Sequence, residues 1–147
     1  MSKTFIYMYI SLAAIILIVY APYFLAILAG KAERLESYIE HEFVMMIIDM
    51  QDEMPLSLQI IITTAVSAEV LYFFSTWMSF HYLAFRLLTL ALTSFEAYHI
   101  LRTIFMMRRF FSNRAPLGAV FRWKLERAAA MLLCSHATLG ILLVVLP

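Results

Sequence analysis

The chain has 147 residues, of which 64% are hydrophobic and only 14% are charged. Soluble domains carry charges at roughly a quarter of their positions, so this composition excludes an ordinary soluble protein and favours an integral membrane protein. The eleven basic and ten acidic residues nearly cancel, and we expect no nucleic-acid partner. The single cysteine, Cys134, excludes an intramolecular disulfide and a multi-cysteine metal site.

The first hydrophobic segment is long enough to cross a bilayer. Residues 4–29 contain 26 positions without a formal charge, and about 20 apolar residues span the hydrocarbon core. Lys3 would suit the start of a cleaved signal peptide, but the apolar segment is longer than the roughly 7–15 residues usual in such peptides. We therefore predict a retained transmembrane helix.

The segment 31–54 carries nine charges and is expected outside the bilayer core. Its apolar residues recur every three or four positions, as in an amphipathic helix; they are Leu35, Ile39, Phe43, Met46 and Met50. On this pattern Glu33, Glu36 and Glu40 fall on the opposite, polar side. The sequence thus predicts an amphipathic segment after the first span.

A second hydrophobic region, 55–111, is too long for one span and predicts two helices with a turn between Ser75 and Tyr82. A last hydrophobic segment closes the chain. The predicted spans are about 4–29, 55–79, 82–107 and 128–147, and the loops that share one face are about 31–54 and 108–127. The expected fold class is all-α: a single polytopic membrane domain with four transmembrane helices.

Basic residues concentrate late in the chain, with seven of the eleven between Arg102 and Arg127. With four spans, this segment and the charged segment 31–54 emerge on the same face. The positive-inside rule places that face in the cytoplasm. Both termini are then expected in a lumen or outside the cell.

Several ionisable residues fall inside the predicted spans, where a charge costs at least a few kcal/mol. They are Glu69, Arg86, Glu96, His99 and His136. In the third span Arg86 and Glu96, with Thr89 and Thr93 between them, form a stripe that should face other helices. Two interpretations stay open: interhelical hydrogen bonds with an Arg–Glu pair that fix the bundle, or a groove that binds a client protein.

The sequence gives weaker support to a haem or metal site, an ion path or an enzyme. Glu96-x-x-His99, with His136 in the last helix, could contribute to a haem or metal site, but a di-iron bundle needs a second Glu-x-x-His, which the chain lacks. An ion path through Glu69 and Glu96 would require several identical chains around a pore. Because no Ser-His-Asp set or phosphate-binding loop is present, we predict a protein that is not an enzyme and has no cofactor.

The hydrophilic loop before the last span contains aromatic residues among its charges. Phe121 and Trp123 are interleaved with Arg122 and Lys124, after Val120. Basic segments beside a membrane bind lipid head groups or are recognised by docking proteins. We predict that residues 120–124 form a binding segment on the cytoplasmic face.

The segment Ala97-Tyr98-His99-Ile100-Leu101-Arg102 resembles the Ala-Tyr-His-Ile-x-Arg segment of the cornichon family. Cornichon proteins are small polytopic receptors that export membrane cargo from the endoplasmic reticulum in COPII-coated vesicles, and some are auxiliary subunits of glutamate receptors. The resemblance implies four spans, lumenal termini and residence in the endoplasmic reticulum and Golgi membranes.

Three further segments are similar to the family. The stretch 33–38 resembles its acidic segment ending in Asp-Tyr, Ala68-Glu69 stands where the family has Pro-Glu, and 120–124 resembles the Ile-Phe-Arg-Thr-Leu stretch by which a fungal member engages the coat. The chain departs from the family at Ser94, which replaces a proline, and lacks the Asn-Pro and Cys that follow Asp-Tyr.

The leading hypothesis is therefore a membrane cargo receptor with integral membrane clients, vesicle coat components and the lipid bilayer as partners. Its client-binding residues would be Glu69, Arg86, Glu96 and His99, and its coat-binding residues would be Val120, Phe121, Arg122, Trp123 and Lys124. The alternative is a homo-oligomeric ion channel or a small subunit of a larger membrane complex.

Overall fold

A computed structural model describes residues 3–48 and 56–146, without the side chains of residues 47, 48 and 57. Every regular element within these ranges is a helix. The helices are α1 (Lys3–Leu28), α2 (Ala32–Ile48), α3 (Leu56–Ser79), α4 (Leu83–Phe111), α5 (Leu117–Val120) and α6 (Trp123–Val145). Met50 of the predicted amphipathic pattern, position 55 at the start of the second predicted span and position 147 lie outside the described residues.

Three helical segments in the described part of the chain are long and apolar enough to cross a membrane: Lys3–Leu28, Leu58–Ser79 and Leu117–Val145. They match the first, second and fourth predicted spans. The predicted third span, 82–107, is helical within α4, but α4 is not among the three, because Arg86, Glu96 and Arg102 lower its hydropathy. Its crossing stays a prediction, whereas an all-helical fold with three helices apolar enough to cross a membrane is confirmed.

Helix α1 packs against both α3 and α6. Tyr9, near its start, donates a hydrogen bond of 3.1 Å to the carbonyl of Ala137 in α6 and meets the rings of Tyr72 in α3 and Phe80 just after it. These contacts make α3 and α6 antiparallel to α1. The turn between α3 and α4, at residues 80–82, therefore lies at the same end of the bundle as Lys3 and Val145.

The opposite end holds α2, α5 and the adjoining ends of α3, α4 and α6, and we call it the basic end because residues 102–127 lie there. Phe43 of α2 packs there with Leu58, Met107 and Val120. The charged helix α2 and the arginine-rich residues 102–127 are thus neighbours. An even number of membrane crossings between them requires this arrangement.

Two helices end in Schellman motifs that redirect the chain at the basic end. Gly30 has φ 67°, and the N–H of Lys31 donates to the carbonyl of Ala26 at 2.8 Å. This geometry needs a left-handed residue after the helix, and glycine adopts it without a steric cost. Asn113, with φ 53°, ends α4 in the same way.

The orientation predicted for α2 is only partly right. Phe43 is buried, and Leu35 and Ile39 are partly buried, as the apolar spacing predicts. Glu36, predicted on the polar outer side, is instead 4% exposed and faces the bundle. Burial is tolerated because Arg127 binds its carboxylate through two hydrogen bonds of 2.7 Å.

Candidate functional site

A cluster of ionisable side chains lies inside the bundle where α3, α4 and α6 meet. It consists of Glu69 from α3, Glu96 and His99 from α4, and Glu126 from α6, and we call it the acidic cluster. Glu69 is 8% exposed and Glu96 is 2% exposed. The structure therefore brings together three of the four residues predicted to bind clients and adds Glu126, which the sequence did not single out.

His99 lies between two of these carboxylates. Its Nδ1 is 3.3 Å from Glu96 Oε2, and its Nε2 is 3.0 Å from Glu126 Oε1 but outside hydrogen-bond geometry. Glu96 and His99 share one helical face because residues three positions apart are neighbours on a helix. The Glu-x-x-His spacing thus makes a contact within α4, and the contact with α6 orients the ring.

Glu69 contacts a different helix. Tyr20 of α1 donates a hydrogen bond of 2.9 Å to its Oε1, whereas its Oε2 is buried and has no hydrogen-bond partner in the described part of the chain. Glu96 Oε1 is likewise buried and has no hydrogen-bond partner among the described residues. An unsatisfied buried polar atom costs about 1–3 kcal/mol, and more when it is charged, so these two oxygens are the acceptors of the cluster for which a further hydrogen-bond partner would be favourable.

The cluster opens into a surface cavity of about 140 Å³ between α3 and α4. Glu69, His99 and Glu126 supply its polar wall, and Thr103, whose buried hydroxyl also lacks a partner among the described residues, lies beside them. Side chains of α3 and α4 such as Ile62 and Ile104 supply the apolar walls. The cavity is therefore lined mainly by apolar side chains, with the carboxyl groups of Glu69 and Glu126 in its wall.

The arginines that adjoin the cluster in sequence are bound elsewhere. Arg102, one turn beyond His99, donates to the backbone carbonyl of Ala119 at 2.9 Å. Arg127, next to Glu126, binds Glu36. Neither guanidinium forms an ion pair with the acidic cluster.

Arg86 is not part of the cluster. Its Nε donates to the carbonyl of Phe80 at 2.7 Å, and its guanidinium lies 5.1 Å from the ring centre of Trp77. Ten residues of helix separate it from Glu96, roughly 15 Å, so the Arg–Glu pair considered from the sequence does not form. Arg86 instead satisfies the backbone where α3 turns into α4.

His136 belongs to a second network, in the core between α3, α4 and α6. The hydroxyl of Tyr72 lies 2.5 Å from its Nδ1, and the hydroxyl of Thr89 lies 2.9 Å from its Nε2. Its ring also stacks on Phe85 at 4.7 Å. His136 and His99 therefore lie in separate hydrogen-bond networks, and in the described ranges no group of three or more His, Cys, Asp or Glu residues is placed to hold a metal ion.

The predicted coat-binding segment is mainly packed against α2. Val120 is fully buried, Phe121 meets the ring of Phe43 at 5.1 Å, and Trp123 stacks on Phe121 at 5.2 Å. Trp123 also donates a hydrogen bond of 2.5 Å to Glu40. The exposed side chains of the segment are Arg122 and Lys124.

Two residues of these sites were missed from the sequence, for different reasons. Tyr20 is one of eight tyrosines and carries no local signal that it would reach Glu69. Glu126 lies among basic residues at the start of the last helix, so the sequence alone suggests a surface charge, and only the packing of α6 against α4 shows its contact with His99.

No family model, curated protein or solved structure matches the chain.

Proposed function

We propose that this protein is a non-catalytic membrane adaptor that binds transmembrane segments of client proteins. The observation that carries the proposal is the acidic cluster, two of whose carboxyl groups, those of Glu69 and Glu126, line a cavity on the outside of the bundle. Helices associate in lipid through close packing and a few polar contacts. A few polar groups in the wall of an apolar groove therefore favour a protein segment over lipid tails.

The client surface of the proposal is centred on Glu69 and His99, which line the cavity, with Glu96 directly behind His99. Arg86 would meet a client only near the other end of the bundle, at the turn between α3 and α4. The proposal includes α4 as a fourth crossing, because its length matches that of the other spans and its polar residues Thr89 and Glu96 are buried within the bundle.

The finer part of the proposal follows the resemblance to cornichons: export of clients from the endoplasmic reticulum in COPII-coated vesicles. In this arrangement the basic end faces the cytosol and both termini face the lumen. Arg122 and Lys124, exposed beside the packed aromatic pair of Phe121 and Trp123, would contact the coat.

Photocrosslinking in the membranes of the source cells tests client binding. A photoreactive residue at Ile104, in the cavity wall, should form adducts with proteins that contain transmembrane segments. The matched control is Ile18 on α1, which is 74% exposed and outside the cavity. Equal protein adducts at both positions, or lipid adducts alone at both, would contradict the proposal.

The coat contact is tested separately by Arg122→Ala with Lys124→Ala. Both side chains are exposed, so the double variant should keep its thermal stability while its exit from the endoplasmic reticulum slows. Phe121→Ala is the informative comparison, because it removes packing against Phe43 and should lower the unfolding temperature. Normal export of the double variant would remove the coat contact from the proposal.

One observation favours the alternative of a homo-oligomeric channel. Glu69 borders two cavities on opposite sides of α3, the cavity of the acidic cluster and a larger one of about 360 Å³ against α1. Neighbouring chains would have to cover both cavities to create an ion path. Liposomes that contain only this protein should then conduct cations, and Glu69→Gln should reduce the flux.

A further inference from the structure

The acidic cluster contains more acidic groups than basic groups. It contains the carboxyl groups of Glu69, Glu96 and Glu126 and the single imidazole of His99. A buried carboxylate is tolerated when it is paired and hydrogen-bonded. One imidazolium cannot pair with three carboxylates, and Tyr20 provides one hydrogen bond to Glu69.

The missing positive charge is not supplied from within the described bundle. Arg102 binds backbone carbonyls at Ala119 and Val120, and Arg127 binds Glu36. Glu69, more than nine-tenths buried, lines the cavity, and its Oε2 has no hydrogen-bond partner among the described residues. A carboxyl group without a cationic partner therefore borders the groove that is open to a neighbouring helix.

We infer that the cavity binds a basic side chain, lysine or arginine, carried by the transmembrane segment of the client. This inference rests on the proposed function and names the chemistry of its partner. A water molecule needs roughly 10–15 Å³ of cavity volume, so a cavity of about 140 Å³ has room for a long side chain.

The walls of the cavity fit such a side chain along its length. Apolar residues, among them Ile62, Val66 and Ile104, would cover the aliphatic stem, and Glu69 with Glu126 would bind the cationic head. Lysine and arginine bury their stems against apolar surface in this way. Pairing with carboxylates also removes the cost of a bare charge in lipid, which gives the client a reason to prefer this groove.

The depth of the site defines the partner further. Tyr20, which contacts Glu69, lies eight positions before the end of α1 at Leu28, or about two helical turns. The basic residue of the client is therefore expected about two turns inside the membrane from the basic end.

Binding of two synthetic transmembrane peptides to the full-length protein in phosphatidylcholine vesicles tests the inference. Both peptides are leucine-alanine helices; one carries a single lysine two turns from its end, and the other carries methionine at the same position. The lysine peptide should bind about tenfold more tightly, as expected for one charge-assisted contact, and Glu69→Gln should abolish the difference.

Glu42→Gln, at an exposed position of α2, is the matched control and should retain the tenfold preference. Glu126→Gln is a second cavity variant at a partly exposed carboxylate and should reduce the preference even if Glu69→Gln does not fold. Equal binding of both peptides, or binding of neither, overturns the inference. The proposed function is decided separately by protein adducts at Ile104, so the two failures can be told apart.

Discussion

Glu36 shows what allows a charged residue to be buried at the basic end of this bundle. Arg127 donates two hydrogen bonds of 2.7 Å to its carboxylate, and Tyr23 donates a third of 2.6 Å. The guanidinium of Arg127 is the main cause that holds the pKa of Glu36 below its ordinary value of 4.5. Glu69 differs from Glu36, because its Oε2 has no hydrogen-bond partner among the described residues.

The lowered pKa of Glu36 predicts a pH dependence of stability. A carboxyl whose pKa is lower in the folded state stabilises the fold fully above 4.5, and this contribution is lost as the pH falls through the lower, folded-state pKa. In detergent, wild type should unfold at a higher temperature than Glu36→Gln at neutral pH, and the difference should shrink in acid.

Glu33→Gln is the control for this measurement, because Glu33 is 90% exposed and 3.9 Å from Arg127. An exposed pair of this kind contributes little, so its unfolding temperature should match that of wild type. If the difference in unfolding temperature between wild type and Glu36→Gln stays the same in acid, the ion pair with Arg127 is not the cause of that difference.

At the scale of elements, the contact between α1 and α6 depends on one glycine. A Cβ atom at Gly140 would lie 1.8 Å from the hydroxyl oxygen of Tyr9. Tyr9 cannot easily move, because it is fully buried, stacks on Tyr72 and meets Phe80 edge-on. The two helices can approach closely only because position 140 has no side chain.

Gly140→Ala should therefore destabilise the protein by roughly 1–3 kcal/mol, the usual cost of overpacking a core. Gly118→Ala is the matched control, since no atom lies within 4 Å of a Cβ built there. Thermal unfolding of both variants in detergent checks the prediction. A Gly140→Ala protein as stable as Gly118→Ala would mean that the α1–α6 contact is looser than described.

At the scale of the whole molecule, the charged segments share the basic end although they are far apart in sequence. Trp123 reaches Glu40 across 83 positions, and Arg127 reaches Glu36 across 91. Such contacts require the start of α6 to lie beside α2. The chain thereby separates an end with many charges from the end where Lys3 and Val145 lie.

Cysteine labelling in sealed vesicles tests this arrangement. A thiol at Ser37 in α2 and one at Ser112 after α4, both exposed, should react with a membrane-impermeant reagent from the same side, and one at Tyr82 should react only from the other. The native Cys134 is buried and should stay unlabelled. Labelling of positions 37 and 112 from opposite sides would contradict both the four crossings and the roles assigned to the basic end.

The hydrophobic stretches of the sequence are sufficient to predict an all-helical chain and the three segments that are long and apolar enough to cross a membrane, because an apolar stretch of about 20 residues satisfies its backbone hydrogen bonds in lipid by forming a helix. The sequence also identified Glu69, Glu96 and His99, since an ionisable residue in such a stretch is conspicuous. The packing of the helices determines which of these residues are in contact. Glu126 joined them and Arg86 did not, because interhelical packing brings together positions that are distant along the chain.

For the same reason, the tertiary structure reversed the expectation that Glu36 lies on the outer face, and it packs part of the segment 120–124 against α2. A local pattern assigns charges to an outer face and aromatic residues beside them to a binding surface. Packing of α2 against the start of α6 instead buries Glu36 on Arg127 and Phe121 on Phe43. The energy of these contacts depends on a partner tens of residues away, which no local spacing encodes.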